Sequence, residues 1–215
     1  MPTAPKLETS AMITVHHLRV GRSVFTVWFL EELGLEYTLK IYDRNDAGRA
    51  PPELKTAHPL GKSPVVDFGA FTLAESGAIA TYLVDTFDTE HRFAPPRSDS
   101  AARAKWTQWL AYSEASAFAP LLFKLLLSRE DPKPPVIQAF ADGEVALHLG
   151  YMQDSLGEGP FILGERFLAP DIGFTYICQM AERLGELGPY PRLKAYLDRN
   201  LARPAFQAAL KRTGG

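Results

Sequence analysis

The chain has 215 residues, 46% of them hydrophobic, and a formal net charge of −2. That is enough apolar material for a sizeable core in one or two domains, and a near-neutral balance with no basic cluster argues against nucleic acid or an anionic membrane surface as a partner. The single cysteine, Cys178, excludes an intrachain disulfide and suits a reducing, cytoplasmic setting; lying in the apolar run from Ile172 to Met180, it reads as core filler rather than a nucleophile.

Residues 1–11 hold Pro2, Pro5, Lys6 and Glu8 with no apolar h-region, so they are expected to be a disordered extension and not a secretory signal. Ile13 to His17 predicts a short strand that breaks at Leu18-Arg19-Val20-Gly21-Arg22. Ser23 is a good N-cap, and Val24, Val27, Trp28, Leu30, Glu31 and Leu33 carry a helix to Gly34, a plausible C′ residue. Tyr37 to Tyr42 alternates as a second strand, and strand, helix, strand implies a parallel pair with a right-handed crossover. Asp43 to Pro52 is polar and breaker-rich, which predicts a mobile loop, with one helical turn over Glu53 to Thr56.

His58-Pro59-Leu60-Gly61 reads as a loop, Pro64-Val65-Val66 as a short strand, Asp67 to Ala70 as a turn and Phe71-Thr72-Leu73 as the returning strand. Glu75-Ser76 then opens a helix with Ile79, Tyr82, Leu83 and Phe87 at helical spacing. The order βαβαββα over residues 12–87 predicts an α/β, thioredoxin-like layer with helices on both sides of a sheet. Residues 88–98, with Pro95 and Pro96, read as a linker, and residues 99–215 as an all-helical bundle domain. Ser98 or Ser100 is expected to cap a long helix through Trp106, Leu110, Ser113 and Ala117 to Leu127. The stretch Leu121 to Leu127 is too short for a membrane span and Lys124 interrupts it. Further helices are predicted from Val136 to about Leu156, from Pro170 to about Leu184, over Pro191 to Leu201 and over Pro204 to Lys211.

Two motifs carry a resemblance. Gly61-Lys62-Ser63-Pro64-Val65-Val66 followed by Ala74-Glu75-Ser76-Gly77-Ala78-Ile79 resembles the glutathione-binding core of the glutathione transferase superfamily, of the bacterial cytosolic type. The resemblance implies that Pro64 is cis, that the Ser63 backbone pairs with the cysteinyl part of glutathione, and that Glu75 and Ser76 hold the γ-glutamyl end. Taken singly, Pro64 also fits a trans proline opening an edge strand, and Ser76 a plain helix cap. His58 and Lys62 border the implied cleft, as surface residues or as partners of the glycyl carboxylate. Phe161 to Gly164 and Pro170-Asp171-Ile172 extend the likeness, with Asp171 in a structural role; Leu168 stands where a Ser or Thr capping partner is usual, which puts the capping box in question.

A thiol is mostly protonated at neutral pH and the thiolate is the nucleophile, so an enzyme using glutathione must supply hydrogen bonds or positive charge to the sulfur. In the family a Tyr, Ser or Cys just after the first strand does this. Here Val20 and Gly21 fall at that place, a departure from the pattern. Ser23 is the nearest hydroxyl, read either as an N-cap or as the catalytic group. Arg22 is either a solvated loop residue or a donor to the sulfur or a glutathione carboxylate. Of His16 and His17, one is expected to face the core and one the cleft, and no metal set accompanies them.

The resemblance places the second substrate between the two domains, with Tyr112, Phe118, Phe123 and Phe174 as possible walls, or as core. It implies a cytoplasmic, homodimeric detoxification enzyme with glutathione as co-substrate and no metal, adding glutathione to small hydrophobic electrophiles or reducing organic peroxides. A non-catalytic glutathione-fold binding or protein-interaction module is the alternative kept open by Gly21. A glutathione-dependent isomerase or dehalogenase is a third. A thiol–disulfide oxidoreductase is disfavoured, because no Cys stands near the first helix.

Overall fold

A computed structural model describes residues 13–214; the expected disordered extension, residues 1–11, lies outside the described residues. The chain divides into two compact units. One runs up to Ile79 and includes the residues from Ala208 onward; the other is Ala80–Gln207. The boundary therefore falls inside the helix after the fourth strand, and the final turns of the chain group with the first unit rather than with the helical one.

In the first unit, β1 (Thr14–Leu18), α1 (Ser23–Leu33), β2 (Thr38–Tyr42), α2 (Leu54–Ala57), β3 (Val65–Asp67), β4 (Thr72–Ala74) and α3 (Ser76–Phe87) follow one another. The sheet order is β2-β1-β3-β4, with β1 and β2 parallel and the other pairs antiparallel. This is the expected βαβαββα layer. Val15, Val65 and Val66 have no exposed surface, and since Val65 and Val66 are successive strand residues the sheet is covered on both faces there. Helix α1 buries Phe25, Val27, Trp28 and Leu30, and ends at Gly34, whose φ of 69° and N–H to the Glu31 and Leu30 carbonyls make a left-handed C-terminal cap. Residues 43–52 contain a hydrogen-bonded turn: the Asn45 side chain accepts from the Arg49 N–H at 2.9 Å, and the Gly48 N–H reaches the Asn45 carbonyl at 2.8 Å.

The second unit is helical. Asp99, not Ser98 or Ser100, caps its first helix, accepting from the Ala102 N–H at 3.0 Å; a carboxylate serves this position as well as a hydroxyl. That helix comprises α4 (Ser100–Tyr112), a π-helical turn (Ser113–Ala117) and α5 (Phe118–Leu127). These form one continuous 28-residue helix that is long and apolar enough to cross a membrane by length and composition alone, a test that a core helix also passes. Trp106, Trp109, Leu110, Ala117 and Leu121 are buried along it. Pro120 lacks the N–H for an i−4 bond, and the widened turn just before it accommodates that loss. Then come α6 (Pro135–Ser155), α7 (Ala169–Arg183), α8 (Pro191–Leu201) and α9 (Pro204–Thr213), the last ending in the first unit. The stretch expected as a linker is fastened within the second unit. The Asp88 carboxylate accepts the Arg92 and Phe93 N–H groups at 2.9 and 2.7 Å, and Trp106 Nε1 donates to the Phe93 carbonyl at 3.0 Å.

The core of this unit gathers Trp109, Leu121, Met152, Phe174, Cys178 and Tyr196. Burial pushes the Cys178 thiol up, so it is inert packing as expected. Asp171 is fully buried. Its carboxylate accepts from the Ile162 N–H at 3.0 Å, the Leu168 N–H at 2.8 Å and the Tyr196 hydroxyl at 2.7 Å. Leu168 has no side-chain oxygen, so the outward half of the capping box is a backbone bond, Asp171 N–H to the Leu168 carbonyl at 2.9 Å.

At Gly173, α7 meets the π-helical turn: an added Cβ would sit 3.2 Å from Ser113 Cβ and against its Oγ. Gly173→Val is therefore expected to lower stability by about 2–3 kcal/mol through overpacking, read as an earlier urea midpoint, with Gly173→Ala falling between it and the wild type.

Candidate functional site

Pro64 cannot donate a ladder hydrogen bond, and the peptide before it is cis. The Ser63 hydroxyl fills the place. It donates to the His16 carbonyl at 2.7 Å and accepts from the Leu18 N–H at 3.2 Å, stitching the loop to β1. With its side chain spent on the strand, what Ser63 offers a ligand is its backbone. The register pairs Val65 with Ala74, which brings Glu75 and Ser76 alongside Ser63 and Pro64. Glu75 has a φ of 71°, in the left-handed region that a non-glycine residue seldom adopts, and its carbonyl accepts the Ile79 N–H at 2.9 Å as α3 begins. Its side chain is exposed and Ser76 is half-buried as the first residue of α3. A strained residue, a helix N-terminus and the cis peptide thus meet at one edge of the sheet, an arrangement that suits a carboxylate.

His58 ends α2 half-buried, with Nδ1 buried and without a hydrogen-bond partner; Lys62 is exposed. Gly61, between them, takes a φ of 57° with Lys55 packed against the open side of its Cα, so the loop turns where only glycine fits without strain.

Where β1 runs into α1, the structure departs from the sequence expectation. Ser23 is the first helical residue, not the N-cap; Arg22 holds that position. The Ser23 side chain is wholly buried and hydrogen-bonds His17 Nδ1 at 2.8 Å, so its hydroxyl is not presented on a surface. Burial, then the nearby Arg19 charge, lowers the His17 pKa to about 4, and burial also lowers that of His16, so both imidazoles are neutral. Neither histidine faces an open cleft: His16 is 7% exposed and His17 2%. His16 Nδ1 instead meets the Tyr42 hydroxyl at 2.8 Å.

Gly21 is half-buried, and a Cβ there would lie 2.7 Å from the Leu18 carbonyl oxygen. The absence of a hydroxyl at this point is thus enforced by the backbone. Val20 before it has a φ of 54° and is 69% exposed. Arg44, which sequence reasoning missed, spans this loop. Its Nε donates to the Arg19 carbonyl at 3.1 Å, Nη2 to the Val20 carbonyl at 3.0 Å and Nη1 to the Gly48 carbonyl at 2.9 Å. Arg19 also bonds Asp43 at 2.8 Å and the Thr213 carbonyl at 3.1 Å. Nothing in the residue pattern around Arg44 signals this role, because its partners are carbonyls.

The four aromatic residues expected to wall a second pocket are dispersed within the helical unit. Phe174 is 1% exposed and packs edge-on against Trp109 and Tyr196, so it is core and is withdrawn from that set. Tyr112 is half-buried, its hydroxyl 2.6 Å from His148 Nδ1. Phe118 leans on Tyr176, and Phe123 is exposed beside Phe140. Among the described residues, no group of three or more His, Cys, Asp or Glu side chains is arranged to hold a metal ion.

Residues 10–85 match the family model described as "Glutathione S-transferase, N-terminal domain". The chain is 33% identical over 216 aligned residues to glutathione S-transferase 3 of Schizosaccharomyces pombe, the alignment covering 94% of this chain and 88% of the relative. A glutathione S-transferase crystal structure from Actinobacillus pleuropneumoniae is 37% identical and superposes with a TM-score of 0.86 over 95% of this chain and 94% of that one. At 22% identity, a glutathione transferase homolog from Lodderomyces elongisporus, solved with two GSH per subunit, shares the fold with a TM-score of 0.82 over 94% of this chain and 98% of that one. The chain belongs to the glutathione S-transferase superfamily, and it is a transferase.

Proposed function

We propose that this transferase binds glutathione along the Ser63–Pro64 loop and the start of α3, activates its thiol, and joins it to small hydrophobic electrophiles or uses it to reduce organic peroxides, a detoxifying role in the cytoplasm. The observation that carries the reading is the strand register that sets Ser63 and Pro64 beside Glu75, whose left-handed backbone opens α3. Ser63 would pair through its main chain with the cysteinyl part of glutathione, and Glu75 and Ser76 would hold the γ-glutamyl group. His58 and Lys62 would serve the glycyl carboxylate.

For the sulfur, the mouth of α1 is the fitting seat. No acidic residue stands in its first turn, the positive end of its dipole favours a thiolate, and Arg22 at the N-cap adds positive charge. The burial of Ser23 and its bond to His17 support main-chain N–H groups and Arg22, rather than the Ser23 hydroxyl, as the activating donors. Tyr112, Phe118 and Phe123 remain candidates for contact with the apolar co-substrate, and a homodimer is the assembly this superfamily reading implies.

The glutathione seat is tested by Glu75→Ala and Ser76→Ala. Each is expected to weaken glutathione binding at least tenfold, the loss of one charge-assisted or neutral hydrogen-bond set, with an unchanged melting temperature. Unaltered affinity in both would sink the γ-glutamyl assignment. A panel of aryl halides, epoxides, hydroperoxides and haloalkanes then separates broad conjugation from a dedicated isomerase or dehalogenase.

A further inference from the structure

A β-branched residue with positive φ is strained and persists only where its surroundings impose it. Val20 is such a residue, and at 69% exposure its own side chain gains little from burial. The angle φ at Val20 is the torsion between the carbonyl carbons of Arg19 and Val20, and the oxygens on those two carbons are the ones Arg44 holds, at 3.1 and 3.0 Å. The third bond, to the Gly48 carbonyl at 2.9 Å, anchors the guanidinium to a turn that Asn45 has already ordered. A planar guanidinium keeps its donors in a fixed fork, so it sets the relative direction of both carbonyls, which an ammonium cannot do.

In a trans peptide the N–H points opposite to the C=O. With the Val20 oxygen turned onto Arg44, the Gly21 N–H points away from the arginine. We propose that Arg44 is a positioning residue for the reaction: by holding Val20 in the left-handed conformation it aims the Gly21 N–H, at the mouth of α1, toward the glutathione sulfur. This inference rests on the α1 seat proposed above. It assigns the donor role usually given to a side chain to a peptide group, and the control of that group to a residue beyond β2.

The test uses the full chain as wild type, Arg44→Met and the double variant Val20→Gly with Arg44→Met. Glutathione affinity, the ultraviolet titration of the bound thiol and kcat with a chromogenic aryl halide are measured for each. Arg44→Met is expected to keep its melting temperature and its glutathione Kd within about twofold, while kcat falls about tenfold and the bound-thiol pKa moves up toward that of free glutathione. Adding Val20→Gly should restore most of both, because glycine populates positive φ without help.

An unchanged kcat and thiol pKa in Arg44→Met overturn the inference. So does a glutathione Kd that rises in step with the loss of kcat, which would make Arg44 a direct ligand. A double variant as impaired as Arg44→Met overturns it too, since the arginine would then act by charge and not through Val20. A wild type that binds glutathione with an unshifted thiol pKa sinks the α1 seat itself, a result distinct from the other three.

Discussion

Asp171→Ala is expected to destabilise the protein by about 3–5 kcal/mol, measured as the shift in urea unfolding free energy. The substitution removes one acceptor group, leaves the Ile162 and Leu168 N–H groups without their acceptor in the interior, and leaves the Tyr196 hydroxyl only its longer bond to the Asp171 main-chain carbonyl at 3.2 Å. Those donors come from the loop before α7, from its N-terminus and from α8, so a single carboxylate joins three segments of the helical unit. Asp171→Asn should recover part of the loss, since one amide oxygen still accepts while the NH2 group meets a donor.

The same group carries a pH signature. Burial raises the Asp171 carboxyl to about 6 from an ordinary 3.8, against the pull of its backbone donors, Tyr196 and the Arg203 charge. An acid whose pKa is raised on folding binds more protons in the native state between those two values. Its contribution is complete below about pH 4 and is lost as pH rises through about 6. The difference in unfolding free energy between wild type and Asp171→Asn should therefore change over that interval and flatten above it. A difference that is constant from pH 4 to 7 would contradict the assignment.

Gly21→Ser should lower kcat/KM about a hundredfold, the scale of an ångström-sized misplacement of catalytic groups. The outcome runs against the simple expectation that a hydroxyl restored at this place would improve an enzyme that lacks one. The reason is the 2.7 Å approach of any Cβ to the Leu18 carbonyl oxygen, a backbone atom held within the sheet end of β1. Gly21→Ala should be as impaired as Gly21→Ser, because the clash belongs to the Cβ and not to the hydroxyl. A serine variant more active than the wild type would show that the loop yields and that a side-chain donor can work there.

The β-α-β-α-β-β-α order could be read from residue patterns because each element has a local signal: alternation in Tyr37 to Tyr42, Gly34 after an apolar helix, Glu75-Ser76 before another. The Ser63–Pro64 and Glu75–Ser76 motifs were readable for the same reason, being short and contiguous. What escaped has non-local causes. The burial of Ser23 depends on His17 turning inward, six residues away across a loop. The pairing of Arg44 with the Arg19 and Val20 carbonyls spans about two dozen positions and leaves no trace in residue type. Phe174 was ambiguous by spacing alone, and only the packing of α4, α7 and α8 around it decides that it is core. Asp99 displaced two serines as the cap because neighbouring positions compete for one helix start, and a shift of a single residue reassigns the cap.

The bond from Arg19 to the Thr213 carbonyl links residues 194 positions apart inside one unit. On a ribosome, the whole helical unit is made before this contact has both of its partners. The sheet-containing unit therefore cannot complete this contact until the chain of the helical unit has been made, so its last fastening falls outside the usual N-terminal-first order. Until then Arg19, next to the loop that leads into α1, has only the Asp43 carboxylate of its two acceptors.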